Sequence, residues 1–426
     1  MVAMTTERME LQPGIWLNYV KTERFKTGWF SMNMVQPLTY EMAAPNALIP
    51  SVLLRGCKNY PDMRSISQRL DELFGGSIGT LVRKKGEIQT VGFYTDFLED
   101  RYAEGVPVFE QMMDFVRQLI FEPCTDGQAF VADYTAGEKQ NLINTIDSRI
   151  NDKRSYAISR LLKQMCQGET YAVPRLGEKE TLETATPDML YRQHQNLLET
   201  SPIELFYMGQ QDKDVVLHTM ETMFKGMPKR TVLTLKQTET EIPQRPVQYV
   251  EEAMDVTQGK LTIGLRTPIT VQDDRYPAMM LLNAIYGNGM TSKLFLKIRE
   301  EQSLCYYANS SMDKFKGIMV VGSGIEFDHY QQARDGILQQ LELCKQGNIT
   351  DEEVESARNY LISAFQTGKD NPGRLDDYAI GQAIAGKTGS MEDMSELLRT
   401  VTKEQIVEAA NTLTLDTVYF LKGAEA

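Results

Sequence analysis

The sequence predicts an α+β protein of two tandem homologous domains, each a mostly antiparallel sheet with helices packed on one face. Three observations predict it. The chain has 426 residues, well beyond the usual size of one domain. In each half, strand-like runs precede long helical stretches, and a last strand follows a helix that starts near a threonine. A weak internal repeat also extends over most of the chain, at an offset of about 218 residues, too long for a solenoid and right for a duplicated domain.

The elements follow in order. Ile15–Val20 and Gly28–Met34, rich in aromatic and apolar residues, read as strands on either side of polar residues 21–26. A helical stretch near Ala47–Leu54 comes next. In Ser65–Phe74 the residues Ile66, Leu70, Leu73 and Phe74 recur at helical spacing and stop at Gly75-Gly76. Strands are expected around 77–82 and 87–94, and Phe109, Met112, Met113, Val116, Leu119 and Ile120 mark the buried stripe of another helix. The repeat then pairs Gly137–Ile143 with Ala357–Ile362, Tyr156–Ile158 with Tyr378–Ile380, and Ala185–Leu190 with Val401–Ile406. It also pairs the strand Ile203–Met208 with Thr417–Leu421. Residues 226–248, with Pro228, Pro243 and Pro246 among charges and threonines, suit a linker between domains 1–225 and 249–426.

Composition narrows the function. Apolar residues at 42% and charged residues at 24% are ordinary for a globular chain. A net charge of −13 argues against a nucleic acid or an anionic membrane as partner, because both reward a basic surface. No apolar run is long enough for a membrane span, and the segment Met1–Gly14 lacks the apolar core of a secretory signal. Five scattered cysteines with no C-x-x-C pair fit a reducing cytoplasm rather than a disulfide framework. Only three histidines occur, His194, His218 and His329, which restricts general-base and zinc chemistry.

One stretch is specific: Tyr286-Gly287-Asn288-Gly289-Met290-Thr291-Ser292-Lys293-Leu294-Phe295, continuing through Ile298-Arg299 to Leu304-Cys305-Tyr306. It resembles the second-domain signature of the insulinase/pitrilysin (mitochondrial processing peptidase-like) metallopeptidase family, and the resemblance covers nearly the whole chain. Within that family it is most similar to non-catalytic bacterial subunits of the YmfF/YfmF type, which are associated with elongation factor P modification. The resemblance implies a first domain that carries His-x-x-Glu-His on a helix and a further glutamate downstream, together holding zinc. Here the tail of that motif is Val52-Leu53-Leu54-Arg55-Gly56-Cys57. Counting back puts Ala47 and Ser51 at the histidine positions and Pro50 at the glutamate. Downstream, Glu138 takes the supporting glutamate position and Thr145 the ligand position. No histidine precedes His194, so no shift of alignment restores the site.

Arg299 and Tyr306 survive, and the resemblance assigns such a pair to orienting the substrate carbonyl. Both are hydrogen-bond donors, the kind of group that stabilises a developing oxyanion. Outside the signature they would read as a helix-end arginine and a half-buried strand tyrosine, and Glu138 as a solvated helix residue. His194 reads as a polar helix residue, the 23 methionines as core filler, and Glu251-Glu252 as solvent-facing charges. The expectation is a cytoplasmic, zinc-less subunit with no metal or cofactor of its own. It would pair with a homologous zinc-bearing peptidase subunit, or form a homodimer, around a peptide substrate. Two alternatives stand beside it: a scaffold in the elongation factor P modification pathway, and a hydrolase acting through another site.

Overall fold

The structure is a computed structural model describing residues 6–227 and 229–424. Met1–Thr5 of the signal-peptide reading and Pro228 of the linker reading lie outside the described residues. The chain forms two compact units, each drawn from three stretches. The first comprises residues 1–147, 173–237 and 372–383; the second comprises 148–172, 238–371 and 384–426.

The strands, in chain order, are β1 (Glu7–Gln12), β2 (Ile15–Lys21), β3 (Thr27–Pro37), β4 (Ser77–Lys85) and β5 (Ile88–Leu98). A small hairpin of β6 (Thr125–Asp126) and β7 (Ala129–Phe130) and then β8 (Ile203–Gly209) complete the first unit. The second unit holds β9 (Gln248–Met254), β10 (Gly259–Arg266), β11 (Cys305–Asp313), β12 (Ile318–Ile325) and β13 (Thr414–Gly423). No helix or strand lies between Met223 and Gln248 among the described residues.

The first sheet runs β1-β2-β8-β3-β5-β4, and the second, from its opposite edge, runs β9-β13-β10-β12-β11. Apart from the extra β1 the two orders match strand for strand. In each sheet the pair formed by the first and last repeated strands (β2–β8, β9–β13) is parallel, and the other pairs are antiparallel. The repeat seen in the sequence is thus a repeat of topology.

Alternation explains why the central strands are buried on both faces. Along β3, Phe30, Met32 and Met34 enter the main core with Leu17, Leu205, Tyr207, Phe93 and the helices Ala43–Leu53 and Val108–Phe121. Between them, Trp29, Ser31 and Asn33 face the other way, where Trp29 stacks on Tyr94 at 4.9 Å. Sheet spacing is tight at Gly92: a Cβ there would lie 1.8 Å from the Met32 carbonyl oxygen. Helices begin where side chains cap their first turn. Asp62 with Ser65, Thr350 with Glu353, Ser390 with Asp393 and Thr402 with Gln405 form capping boxes.

The face of each sheet away from its main helical layer carries one further helix, supplied by the other half of the chain. In the second unit the helix Lys153–Met165 lays Ala157, Leu161 and Met165 on Ile318, Val320, Tyr419 and Leu421. In the first, Ala379 and Leu375 of the helix Pro372–Ala385 pack on Val20, Phe206 and Met208. These are the two helices that the repeat pairs through Tyr156–Ile158 and Tyr378–Ile380. Polar anchors fix both. Tyr156, Arg160 and Tyr419 donate to Glu252 at 2.7, 2.8 and 3.0 Å. Asp376, fully buried, accepts from Ser31 at 2.9 Å and from Arg83 at 2.7 Å. Glu252 is therefore a partly buried anchor, where the sequence suggests a solvent-facing charge.

Candidate functional site

The helix Ala43–Leu53 carries no His, Cys, Asp or Glu side chain, the ligand types zinc takes. Ala47 is buried in the main core, Pro50 is buried inside the helix, and Ser51 is half-buried beside it. Proline at this place removes the N–H that would bond to the carbonyl of Asn46. The Asn46 side chain is instead committed to the fold, donating to Gln89 at 3.3 Å and accepting from Gln193 at 2.9 Å.

On the helix Ala132–Asp147, the hydroxyl of Thr145 donates to the Asn141 carbonyl at 2.9 Å. Glu138 is drawn into an ion pair with Arg55 at 3.3 Å and accepts from Asn141 at 3.3 Å. Arg55 belongs to the segment Val52–Cys57, so the Glu138 carboxylate is paired with a charge just past the helix Ala43–Leu53. A methyl group, a proline ring and two hydroxyls do not fit a zinc ion, which needs three nitrogen, sulfur or carboxylate ligands in a catalytic site. Among the described residues, no group of three or more His, Cys, Asp or Glu side chains is placed to hold a metal.

The second unit places the glycine turn and Arg299 together. The buried helix Tyr276–Tyr286 ends at Gly287, and the turn Gly287-Asn288-Gly289 lies against β11. Ser310 donates its N–H to the Gly287 carbonyl at 2.9 Å. A Cβ on Gly287 would come within 2.6 Å of the Ser310 hydroxyl, so only glycine permits this approach. Gly289 has φ +147°, again a conformation that favours glycine. After the turn, Leu294–Glu301 winds as a π-helix, a rare geometry found often at functional sites. It carries Arg299.

Arg299 lines a cavity of about 290 Å³ together with Arg154, the glycine turn, Met290, Phe295, Tyr307, Asn309 and Tyr360. Its guanidinium lies 4.7 Å from the centre of the Phe295 ring. Tyr306 is not among the cavity-lining residues. The β11–β12 register slips between Cys305 and Tyr307, leaving Tyr306 59% exposed with its hydroxyl donating to Glu326. Its phenol pKa is raised, first by that hydrogen bond and then by the glutamate's charge. The tyrosine at the cavity is Tyr307, whose hydroxyl pKa is raised by burial and moderated by the nearby Arg154 charge. The structure thus joins Arg299 to Tyr307 and Arg154 at the cavity, and Tyr306 to Glu326 beside it.

Sequence reasoning missed Arg154 because it lies far from the glycine turn in the chain and reaches it only on the exchanged helix Lys153–Met165. Two other chemically notable groups are internal. His194 lies on the helix Pro187–Thr200 as the sequence suggests, fully buried against Phe130, its imidazole pushed down to about 4 by burial. Glu99 is 1% exposed, with Oε1 accepting from the Gln210 N–H at 2.9 Å and Oε2 unpartnered among the described residues. Burial pushes its carboxyl up to about 7. None of the five cysteines is in a disulfide.

The family description "Peptidase M16 inactive domain" matches residues 184–361. The chain is 34% identical to a probable inactive metalloprotease, YmfF, of Bacillus subtilis, over 97% of this chain and 96% of that protein. It is 22% identical to an uncharacterized zinc protease of Rickettsia bellii, over 69% of this chain and 71% of that protein. A conserved protein from Enterococcus faecalis has the same fold, with TM-score 0.90 and 26% identity, covering 98% of this chain and 99% of that one. A peptidase M16 inactive domain from Pseudomonas fluorescens matches with TM-score 0.80 and 15% identity over 98% of each chain.

Proposed function

Because the chain belongs to the M16 (insulinase/pitrilysin) peptidase family and is a homologue of a member named as inactive, we propose that it is a non-catalytic subunit working beside a zinc-bearing homologue. One observation carries the reading. The positions of the zinc motif hold Ala47, Pro50, Ser51 and Thr145, while Arg299 still lines a cavity next to the glycine turn. The partner supplies zinc and the base that activates water. This chain supplies wall and hydrogen-bond donors for an extended peptide, Arg299 from the cavity and Tyr306 from beside it, once its hydroxyl turns from Glu326 to the substrate carbonyl.

On this reading Glu138 is a remnant, held by Arg55, of a carboxylate that once supported a ligand. Residues 1–225 and 249–426 are the two copies of the duplicated unit, joined through 226–248; the matched strand orders support that division. Among the described residues no helix is long and apolar enough to cross a membrane. With the scattered cysteines, this supports the cytoplasm as the place of work.

The test is reconstitution. The chain is co-purified with a homologue bearing His-x-x-Glu-His, and peptide turnover is compared for wild type, Arg299→Ala and Tyr306→Phe. Loss of one donor to a developing oxyanion is expected to lower kcat by about 100-fold for Arg299→Ala, with a smaller loss for Tyr306→Phe. Unchanged turnover in both variants removes the assigned role, and failure of any zinc-bearing homologue to associate removes the subunit reading.

A further inference from the structure

We propose that the cavity beside the Gly287–Gly289 turn binds a carboxylate of a peptide, with Arg154 and Arg299 as its two cationic walls. The inference rests on the peptide-binding reading above and adds to it the chemical class of the group recognised. The chain is acidic, with a net charge of −13, yet the charged side chains that line this cavity are both arginines.

Aromatic stacking restrains each guanidinium. Arg154 lies 4.4 Å from the centre of the Tyr307 ring and donates to Asn309 Oδ1 at 2.6 Å. Arg299 lies over Phe295, and the carboxylate nearest to it is that of Glu300, 3.5 Å from Nε. The terminal amino groups of Arg299 make no hydrogen bond to another described residue. A guanidinium stacked on a ring has lost much of its rotamer freedom before a ligand arrives, and its planar fork matches the two oxygens of a carboxylate. The Tyr307 hydroxyl also makes no hydrogen bond to another described residue, so a further donor remains at the same cavity. The apolar lining from Met290 and Phe295 suits the flanking part of a peptide better than a bare inorganic anion.

The carboxylate could come from a peptide C-terminus or from an Asp or Glu side chain, and the experiment separates them. Calorimetric titration of the full isolated chain at low salt uses three matched pentapeptides. One has a free C-terminal acid and no acidic side chain, one is its C-terminal amide, and one is the amide with a single Glu. Inorganic phosphate is a fourth probe. At least one carboxylate-bearing peptide is expected to bind about tenfold or more tightly than the plain amide. Arg154→Gln and Arg299→Gln should each erase most of that preference, and Arg154→Lys should restore only part of it. Native circular dichroism in each variant excludes misfolding as the cause.

Binding of both carboxylate-bearing peptides no tighter than the plain amide overturns the proposal. So does an unchanged preference in both natively folded glutamine variants, or binding of phosphate alone. Since the isolated chain is titrated, absence of a catalytic partner leaves this result standing. A wild-type chain that shows no carboxylate preference but supports full turnover in the reconstituted pair overturns this inference alone.

Discussion

Glu99 shows how one side chain couples the first unit to pH. Its carboxyl is enclosed where Gly28 and Gly209 leave room, a Cβ on either glycine lying within 2.8 and 2.4 Å of Oε1. Burial raises its pKa from the ordinary 4.5 to about 7, against the opposing pull of the Gln210 N–H. The folded value lies above the unfolded one, so the contribution of the neutral carboxyl is complete below about pH 4.5. It is lost as pH rises through about 7. Stability should therefore fall by about 2–3 kcal/mol between pH 5 and 8 on this account. Glu99→Gln, which keeps an oxygen for Gln210, should raise the denaturant midpoint at pH 8 and leave it nearly unchanged at pH 4.5; equal effects at both pH values would refute the assignment. Gly92 is a steric counterpart. Gly92→Ala would drive a methyl into the Met32 carbonyl and should cost more than the usual 1–3 kcal/mol of overpacking, read as loss of soluble, cooperatively unfolding protein. Neither residue is conspicuous in sequence: Glu99 sits in a polar run with Asp100 and Arg101, and its burial comes from the loop after β8, more than a hundred residues away.

Among elements, the two exchanged helices were legible only as a repeated pair, Tyr156–Ile158 with Tyr378–Ile380, and not in their destination. Each is amphipathic like many surface helices, and nothing local says which sheet it covers. The anchor in the first unit is an ion pair with a fully buried partner, Asp376 with Arg83. Burial raises the Asp376 pKa, and the Arg83 charge and the Arg83 and Ser31 hydrogen bonds oppose that rise. Asp376→Ala removes the buried counter-ion of Arg83, which keeps Asp377 at 3.3 Å, and should cost about 3 kcal/mol of unfolding free energy, the low end for a broken buried pair, measured by urea titration. Replacing both, as Arg83→Met with Asp376→Leu, should recover most of the loss. If the double variant is as unstable as the single one, the pair matters for more than charge compensation. The glycine turn and the π-helix behave differently. The glycine turn announces itself, because only glycine tolerates the close approach at Gly287 and the positive φ at Gly289. The π-helical winding that presents Arg299 has no such signature.

At the scale of the whole molecule, the chain is a duplicated fold whose two copies have diverged in opposite ways. Among the described residues the first copy holds no group of His, Cys, Asp and Glu side chains placed for a metal; the second carries the glycine turn, Arg299 and the cavity. If no ion contributes to the fold, a chelator should leave the thermal midpoint within about 1 °C, whereas a structural zinc would shift it by many degrees. Mass spectrometry of the native chain gives the same answer by metal content. The sequence by itself determined the family, the α+β class and the repeat, and it holds no histidine before His194. Those follow from local patterns and from side-chain types that either can or cannot coordinate a metal. Only the tertiary structure decided which sheet each exchanged helix covers, that Tyr307 rather than Tyr306 borders the cavity, and that Arg154 stands there with Arg299. Such facts depend on strand register and on contacts between residues far apart in the chain, and no local periodicity encodes them.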